Sequence, residues 1–198
     1  MVQISAAMVK ELREATGSGI MDCKRVLADA EGDMEKAVVL LRKKGLAKAA
    51  KRLGRSTSEG IIYSYIHTGA KLGVLVEVNC ESDFVAKTEN FQNFVKDIAM
   101  HIAAANPAGL NPEDIDPAIV EKERDIFRAQ MLEQGKPENM IDKIVEGKVG
   151  KFYKDICLMS QPYIKDPQKT ITDLLKETIG SMGENIQVKR FVRFQIGE

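Results

Sequence analysis

The stretch "CESDFVAK", Cys80–Lys87, stands between two patterns of different period. Before it, "LGVLVEVNC" puts Leu72, Val74, Val76, Val78 and Cys80 on one face at period two, the mark of a strand. After it, Phe91, Phe94, Val95, Ile98 and Ile102 recur at helical spacing. The stretch is therefore a handover from strand to helix, and it makes the fold α+β rather than all-helical. It also carries Phe84, in a chain with few aromatics. The residues leave two readings open. Phe84 lies seven positions before Phe91, so spacing alone makes it the start of that helix's core face. Alternatively it stands at a loop tip as a tool aimed at a partner.

Toward the N-terminus, "IIYSYIH" and the turn "TGAK" complete an antiparallel hairpin with the strand above. The first 45 residues predict three short helices. Ser5 caps the first, which buries Met8, Val9 and Leu12 and ends at Gly17. The second starts near Ile20, carries Cys23, Val26, Leu27 and Ala30 on its inner face, and stops at Gly32. Asp33 caps the third, with Met34, Ala37, Val38 and Leu41 inside, and Gly45 is expected to end it. From Arg42 to Arg55 basic residues recur with no acid, which reads as a solvated linker helix or as a nucleic-acid patch without aromatic interleaving.

Toward the C-terminus, "NPAGLNPEDIDP" breaks the helix with its prolines. Two charged helical stretches follow, "AIVEKERDIFRAQMLEQ" and "NMIDKIVEGKVGKFYKDICLM", joined by "GKP". Ile141, Val145, Val149, Phe152, Ile156 and Met159 make a narrow stripe, suited to a projecting antiparallel helical hairpin. "SQPYIKDPQK" reads as a loop before a helix that Thr170 enters and Gly183 closes. "NIQVKRFVRFQIGE" reads as a strand with Ile186, Val188, Val192, Phe194 and Ile196 on one face, interrupted by Arg190. Phe191 falls on the other face, so the strand is apolar on both sides and fit to meet another subunit.

Composition narrows the function. The 198 residues carry 29 basic and 29 acidic side chains, and a zero net charge argues against bulk nucleic-acid or anionic-membrane binding. No run approaches the roughly 20 apolar residues that span a bilayer, and the first residues lack an apolar signal core. The expectation is a soluble, cytoplasmic protein. Cys23, Cys80 and Cys157 are far apart, in neither a disulfide framework nor a zinc spacing, and are read as core. His67 and His101 are the only histidines and receive no role. No phosphate loop, dinucleotide fingerprint or nucleophile elbow is present. The expectation is no enzyme, with no catalytic residue, metal or cofactor.

These pieces resemble the elongation factor Ts family over essentially the whole chain. "LREATGSGIMDCKRVLADAEGDMEKAVVLLRKKG" is similar to the family's N-terminal signature. "VNCESDFVAKTENF" is similar to its central one, which more often has Thr where this chain has Ser82. "QGKPENM", "QPYIKDPQKT" and "RFVRFQIGE" follow in the family's order. The resemblance implies a ubiquitin-associated-like three-helix module with a basic linker over 1–55 and the first part of an α/β dimerisation core over 56–116. It implies the helical hairpin over 117–155, and the rest of the core with the terminal strand over 156–198.

The implied function is guanine-nucleotide exchange on elongation factor Tu during polypeptide elongation. The protein would bind the GDP complex of that factor, disturb its magnesium and phosphate site, and promote GDP release. The implied contacts are Ser82, Asp83, Phe84 and Val85, with Phe84 as a wedge, and Ile20, Met21 and Lys24 in the N-terminal module. This reverses the core reading of Phe84 that spacing favours. Longer family members carry two related core halves and a further C-terminal helix. This chain has room for one half and ends at Glu198, so a homodimer is expected to supply the rest. No direct nucleic-acid or membrane partner is expected. Two other classes stay open on residues alone: an adaptor or RNA-binding module using Arg42 to Arg55, and a thiol enzyme on Cys80, which has no histidine near it in sequence.

Overall fold

The structure is a computed structural model describing residues 4–197. Residues 1–3 and Glu198, which the first and last expected segments include, lie outside them. The chain divides into two compact units. One takes the chain as far as Met100 and again from Asp173; the other is His101–Thr172.

The first unit begins with α1 (Ala6–Thr16), α2 (Ile20–Asp29) and α3 (Met34–Arg52). Ser5 Oγ accepts the Met8 N–H at 3.2 Å, and Asp33 Oδ1 accepts the Lys36 N–H at 3.0 Å, so both expected N-caps form. Gly17 ends α1 with φ of 64°. Leu12, Cys23, Val26, Leu27, Ala30, Ala37 and Leu41 form one buried cluster, with Met8, Val9 and Met34 packed against it. Val38, expected inside, is 41 % exposed.

Gly45 does not end α3, which runs through it to Arg52. The reason lies in α8 (Ile171–Met182). A Cβ built on Gly180 would lie 2.6 Å from Gly45 O and 2.7 Å from its Cα. The two helices meet backbone to backbone, and glycine is what permits that approach. The basic run is accordingly helix, and acids take up its charge. Arg42 Nε lies 2.9 Å from Glu177, Lys44 Nζ 2.7 Å from Asp29, and Lys48 Nζ 2.7 Å from Asp22. Lys48 holds the Asp22 carboxyl below the usual carboxylate range.

The hairpin is β1 (Glu59–Ile66) and β2 (Leu72–Cys80), and β5 (Ile186–Gln195) adds antiparallel to β2, giving the order β1-β2-β5. Val74, Val76, Val78 and Cys80 are buried as their alternation predicts, and Leu72 is half-buried. The expected single face of β5 is wrong. Val188 pairs with Val78 but Arg190 pairs with Glu77, so Lys189 is a bulge that flips the alternation. Ile186, Val188 and Phe191 therefore share the face of Cys80, Val78 and Val76, whereas Arg190, Val192 and Phe194 share that of Glu77, Leu75 and Gly73. Arg190 Nε binds Glu77 Oε2 across the strands at 2.6 Å. The short α4 (Asp83–Ala86) follows β2, then α5 (Glu89–Ala105), whose Phe91, Phe94, Val95, Ile98 and Ile102 are all buried.

In the second unit α6 (Pro117–Glu133) and α7 (Glu138–Ile156) pair antiparallel. Arg124 reaches Glu146, and Arg128 reaches Asp142. Val120, Met131, Ile141, Val145 and Val149 are buried together. The expected stripe is cut short, because α7 ends at Ile156 and a 3-10 turn carries Leu158–Ser160. The expected loop after it contains a small hairpin, β3 (Pro162–Tyr163) with β4 (Asp166–Thr170). His101 is buried there. Its Nδ1 accepts the Ile164 N–H at 3.4 Å, so its Nε2–H donates to Gln161 Oε1 at 3.0 Å. Burial pushes its pKa down and keeps the ring neutral.

The glycine pair separates packing from propensity. Either glycine replaced by alanine gains up to about 1 kcal/mol of helix propensity. At Gly45 the new Cβ meets Gly180 Cα at an ordinary 3.8 Å. At Gly180 it strikes backbone. Urea unfolding of Gly45→Ala should show unchanged or raised stability, and that of Gly180→Ala a loss of at least about 1 kcal/mol.

Candidate functional site

The "CESDFVAK" stretch closes a strand and opens a single helical turn. Ser82 is the N-cap of α4, and its Oγ accepts the Val85 N–H at 3.4 Å. Lys87 ends that turn and Thr88 precedes α5, so helical phase is broken between Phe84 and Phe91. The core reading of Phe84 fails for that reason. Phe84 is 82 % exposed, whereas Phe91 is fully buried. Asp83 is exposed, and its Oδ2 lies 2.7 Å from Lys87 Nζ. That hydrogen bond holds the Asp83 carboxyl below its usual range and raises the lysine. Val85 is half-buried and Ala86 buried, so the turn faces inward on one side and offers Phe84 on the other.

Contacts distant in sequence fix this turn. Glu184 Oε1 accepts the Ser82 hydroxyl at 2.6 Å, and its Oε2 accepts the Ser82 N–H at 3.0 Å. One residue back, the Glu81 carboxylate accepts the Asn185 N–H at 2.6 Å and lies 3.5 Å from Arg55. The Asn185 bond, then the two arginines Arg55 and Arg52, hold Glu81 ionised. Cys80 donates its thiol hydrogen to Ser82 O at 3.1 Å. Burial, and then the charge of Glu184, push that thiol up and keep it protonated, which disfavours a nucleophilic role.

The second candidate set lies at the start of α2. Ile20 and Lys24 are exposed and Met21 is 69 % exposed. Ile20 and Lys24 line a hollow of about 450 Å³ with Val9, Lys10 and Arg13 of α1, which sequence reasoning did not include. Glu184 and Asn185 were also missed. They stand more than 100 positions from their partners and belong to no local motif. Among the described residues, no group of three or more His, Cys, Asp or Glu is placed to hold a metal ion. No described helix is long and apolar enough to cross a membrane.

These features define a class: an α+β protein of helices and antiparallel sheet that presents apolar side chains at the fixed ends of its elements. Comparison with known proteins makes it particular. A family model described as elongation factor TS matches residues 21–198. The chain is 62 % identical over 195 residues to elongation factor Ts of Desulfosudis oleivorans, covering 98 % of each chain. It is 60 % identical over 195 residues to that of Thermoanaerobacter pseudethanolicus, covering 98 % of this chain and 96 % of the relative. To that of Geotalea daltonii it is 57 % identical over 197 residues, covering 100 % and 91 %. The chain belongs to the elongation factor Ts family, a family of translation elongation factors.

Because Phe84 packs against little, its truncation should cost almost nothing. Thermal and urea unfolding of Phe84→Ala should place it within about 0.5 kcal/mol of the parent. The matched deletion Phe91→Ala should cost about 3–5 kcal/mol.

Proposed function

We propose that this protein is a guanine-nucleotide exchange factor for elongation factor Tu, acting in the cytoplasm by binding rather than by covalent chemistry. The observation that carries the proposal is Phe84: a large apolar ring, solvent-exposed, on a turn anchored at the end of a strand buried on one face. An exchange factor must bind the nucleotide-free partner more tightly than the GDP form, and GDP must then weaken the factor's binding by the same ratio. A rigidly placed wedge fits only a distorted partner and supplies that difference. Phe has few rotatable bonds and a large area to bury. Asp83 stands beside it as an acceptor already paired to Lys87, and Ser82 and Val85 hold its base. Ile20, Met21 and Lys24, beside the α1–α2 hollow, give a second contact to the same GTPase domain. In this reading the three N-terminal helices are the ubiquitin-associated-like module. The acids that pair with the α3 cations support a protein rather than a nucleic-acid partner.

The proposal includes a two-fold homodimer. The bulge at Lys189 sends Val192 and Phe194 to the same sheet face as Leu75 and Ile62. That face is open, with Ile62 70 % and Phe194 68 % exposed around the Glu77–Arg190 pair. A self-complementary apolar face of this kind suits an isologous interface.

The exchange proposal is tested by the release of fluorescent GDP from elongation factor Tu. Phe84→Ala should slow stimulated release, more with magnesium present than with it chelated. A defect indifferent to magnesium would count against a wedge that acts on the metal site, and no defect at all would refute the role. For the dimer, light scattering at micromolar concentration should give twice the chain mass, and Phe194→Asp should halve it. A parent protein that scatters as a monomer would sink the dimer.

A further inference from the structure

We infer that Glu184 is a positioning residue, whose carboxylate holds the Ser82–Val85 turn in the one shape that presents Phe84. The functional half of this rests on the exchange reading above; the structural half does not. Glu184 lies just past Gly183, where α8 hands over to β5. Its two oxygens take different hydrogens of the same residue, the Ser82 hydroxyl at 2.6 Å and the Ser82 N–H at 3.0 Å. With its hydrogen committed to Glu184, the hydroxyl turns a lone pair to the Val85 N–H. The N-cap of α4 is thus oriented by a group more than 100 positions away.

The arrangement is reciprocal. Glu184 binds the backbone next to Glu81, and Glu81 binds the backbone N–H next to Glu184, that of Asn185. Asn185 is buried and donates its Nδ2–H onward to Arg55 O at 2.8 Å. Two adjacent chain turns are stitched by two carboxylates pointing in opposite directions, each accepting from backbone. Such charge-assisted bonds are short and directional. A turn of four residues has little packing of its own to replace them. Only Val85 and Ala86 face inward, and Asp83 is tied merely to Lys87 within the same turn. Without Glu184, Ser82 loses the acceptor of both its hydrogens, and the path from strand to helix loses its fixed point.

Glu184→Ala and the milder Glu184→Gln test this in two independent measurements. The first is amide hydrogen exchange in the protein alone. In Glu184→Ala the Ser82 and Val85 amides should exchange at least about tenfold faster, while β2 amides such as Val76 stay protected. Glu184→Gln keeps one carbonyl oxygen for Ser82 and should fall between. Unchanged protection in both variants overturns the inference, whatever the partner does. The second is stimulated GDP release from elongation factor Tu at saturating factor. A misplaced turn should lower the maximal rate about tenfold or more. Added to Phe84→Ala, Glu184→Ala should cost nothing further, because both act through the same ring. Lost protection with a normal maximal rate, alongside a slow Phe84→Ala, overturns the positioning role and leaves the wedge standing. If Phe84→Ala is itself unimpaired, the exchange reading is what has failed, and the amide data decide for or against the clamp.

Discussion

Two glycines from distant parts of the chain set the frame on which the candidate site is built. At Gly45 and Gly180 the backbones of α3 and α8 come so close that a Cβ on Gly180 would strike Gly45 O and Cα, whereas a Cβ on Gly45 would make an ordinary 3.8 Å contact with Gly180 Cα. The Arg42–Glu177 pair lies beside this crossing, and α3 runs on to Arg52 and toward Arg55, which faces Glu81. α8 runs on to Gly183, Glu184 and Asn185, which grip Ser82 and Glu81 from the other side. A side chain at Gly180 would strike the α3 backbone only four residues before Glu184, which binds Ser82.

That dependence also marks where the sequence stops being readable. The β2 alternation from Val74 to Cys80 and the α5 face from Phe91 to Ile102 were legible because one periodic rule decides each of them. Ser5, Asp33 and Gly17 were legible because a cap bonds only to a residue three or four positions away. Gly45 was misread because helix-ending and helix-packing glycines look alike locally; only Gly180 tells them apart. Phe84 was misread as core by spacing because the break at Lys87 and Thr88 interrupts the phase, and it stands exposed. The bulge at Lys189 has no local signature, yet it moves Val192 and Phe194 to the opposite face. Arg190, which looked like an interruption, faces Glu77 once the register is known. Glu184 could not be found at all, since nothing in "MGEN" points to a serine 102 positions earlier.

The balance of charge has a structural counterpart. The basic run of α3 would be a positive stripe if left alone. Asp22, Asp29, Glu81 and Glu177 stand against it from α2, the end of β2 and α8. Exposed pairs of this kind contribute little stability, about 0–1 kcal/mol each. Their larger effect is on the field, which they flatten. With steering by net charge removed, selectivity falls to shape and to local apolar contacts. Both candidate patches offer bare apolar side chains, Phe84 beside the Asp83–Lys87 pair and Ile20 in a hollow with Lys10, Arg13 and Lys24.

Magnitudes then decide what the anchoring of the turn is worth. Burying one Phe side chain against a partner yields about 1.5–3 kcal/mol. Ordering a flexible backbone costs about 1–2 kcal/mol per residue, so a loose Ser82–Val85 segment would lose more on binding than the ring could return. A free aromatic on a mobile loop would therefore make a poor wedge, however well its ring fitted the partner. In this chain the ordering cost is met during folding, by the Ser82 cap, the Cys80 thiol and the Glu184 carboxylate. On the proposed exchange reading, the ring's contact energy is then available to distinguish one partner conformation from another. On that same reading, the hydrogen bonds around Ser82 set whether Phe84 can act on its partner.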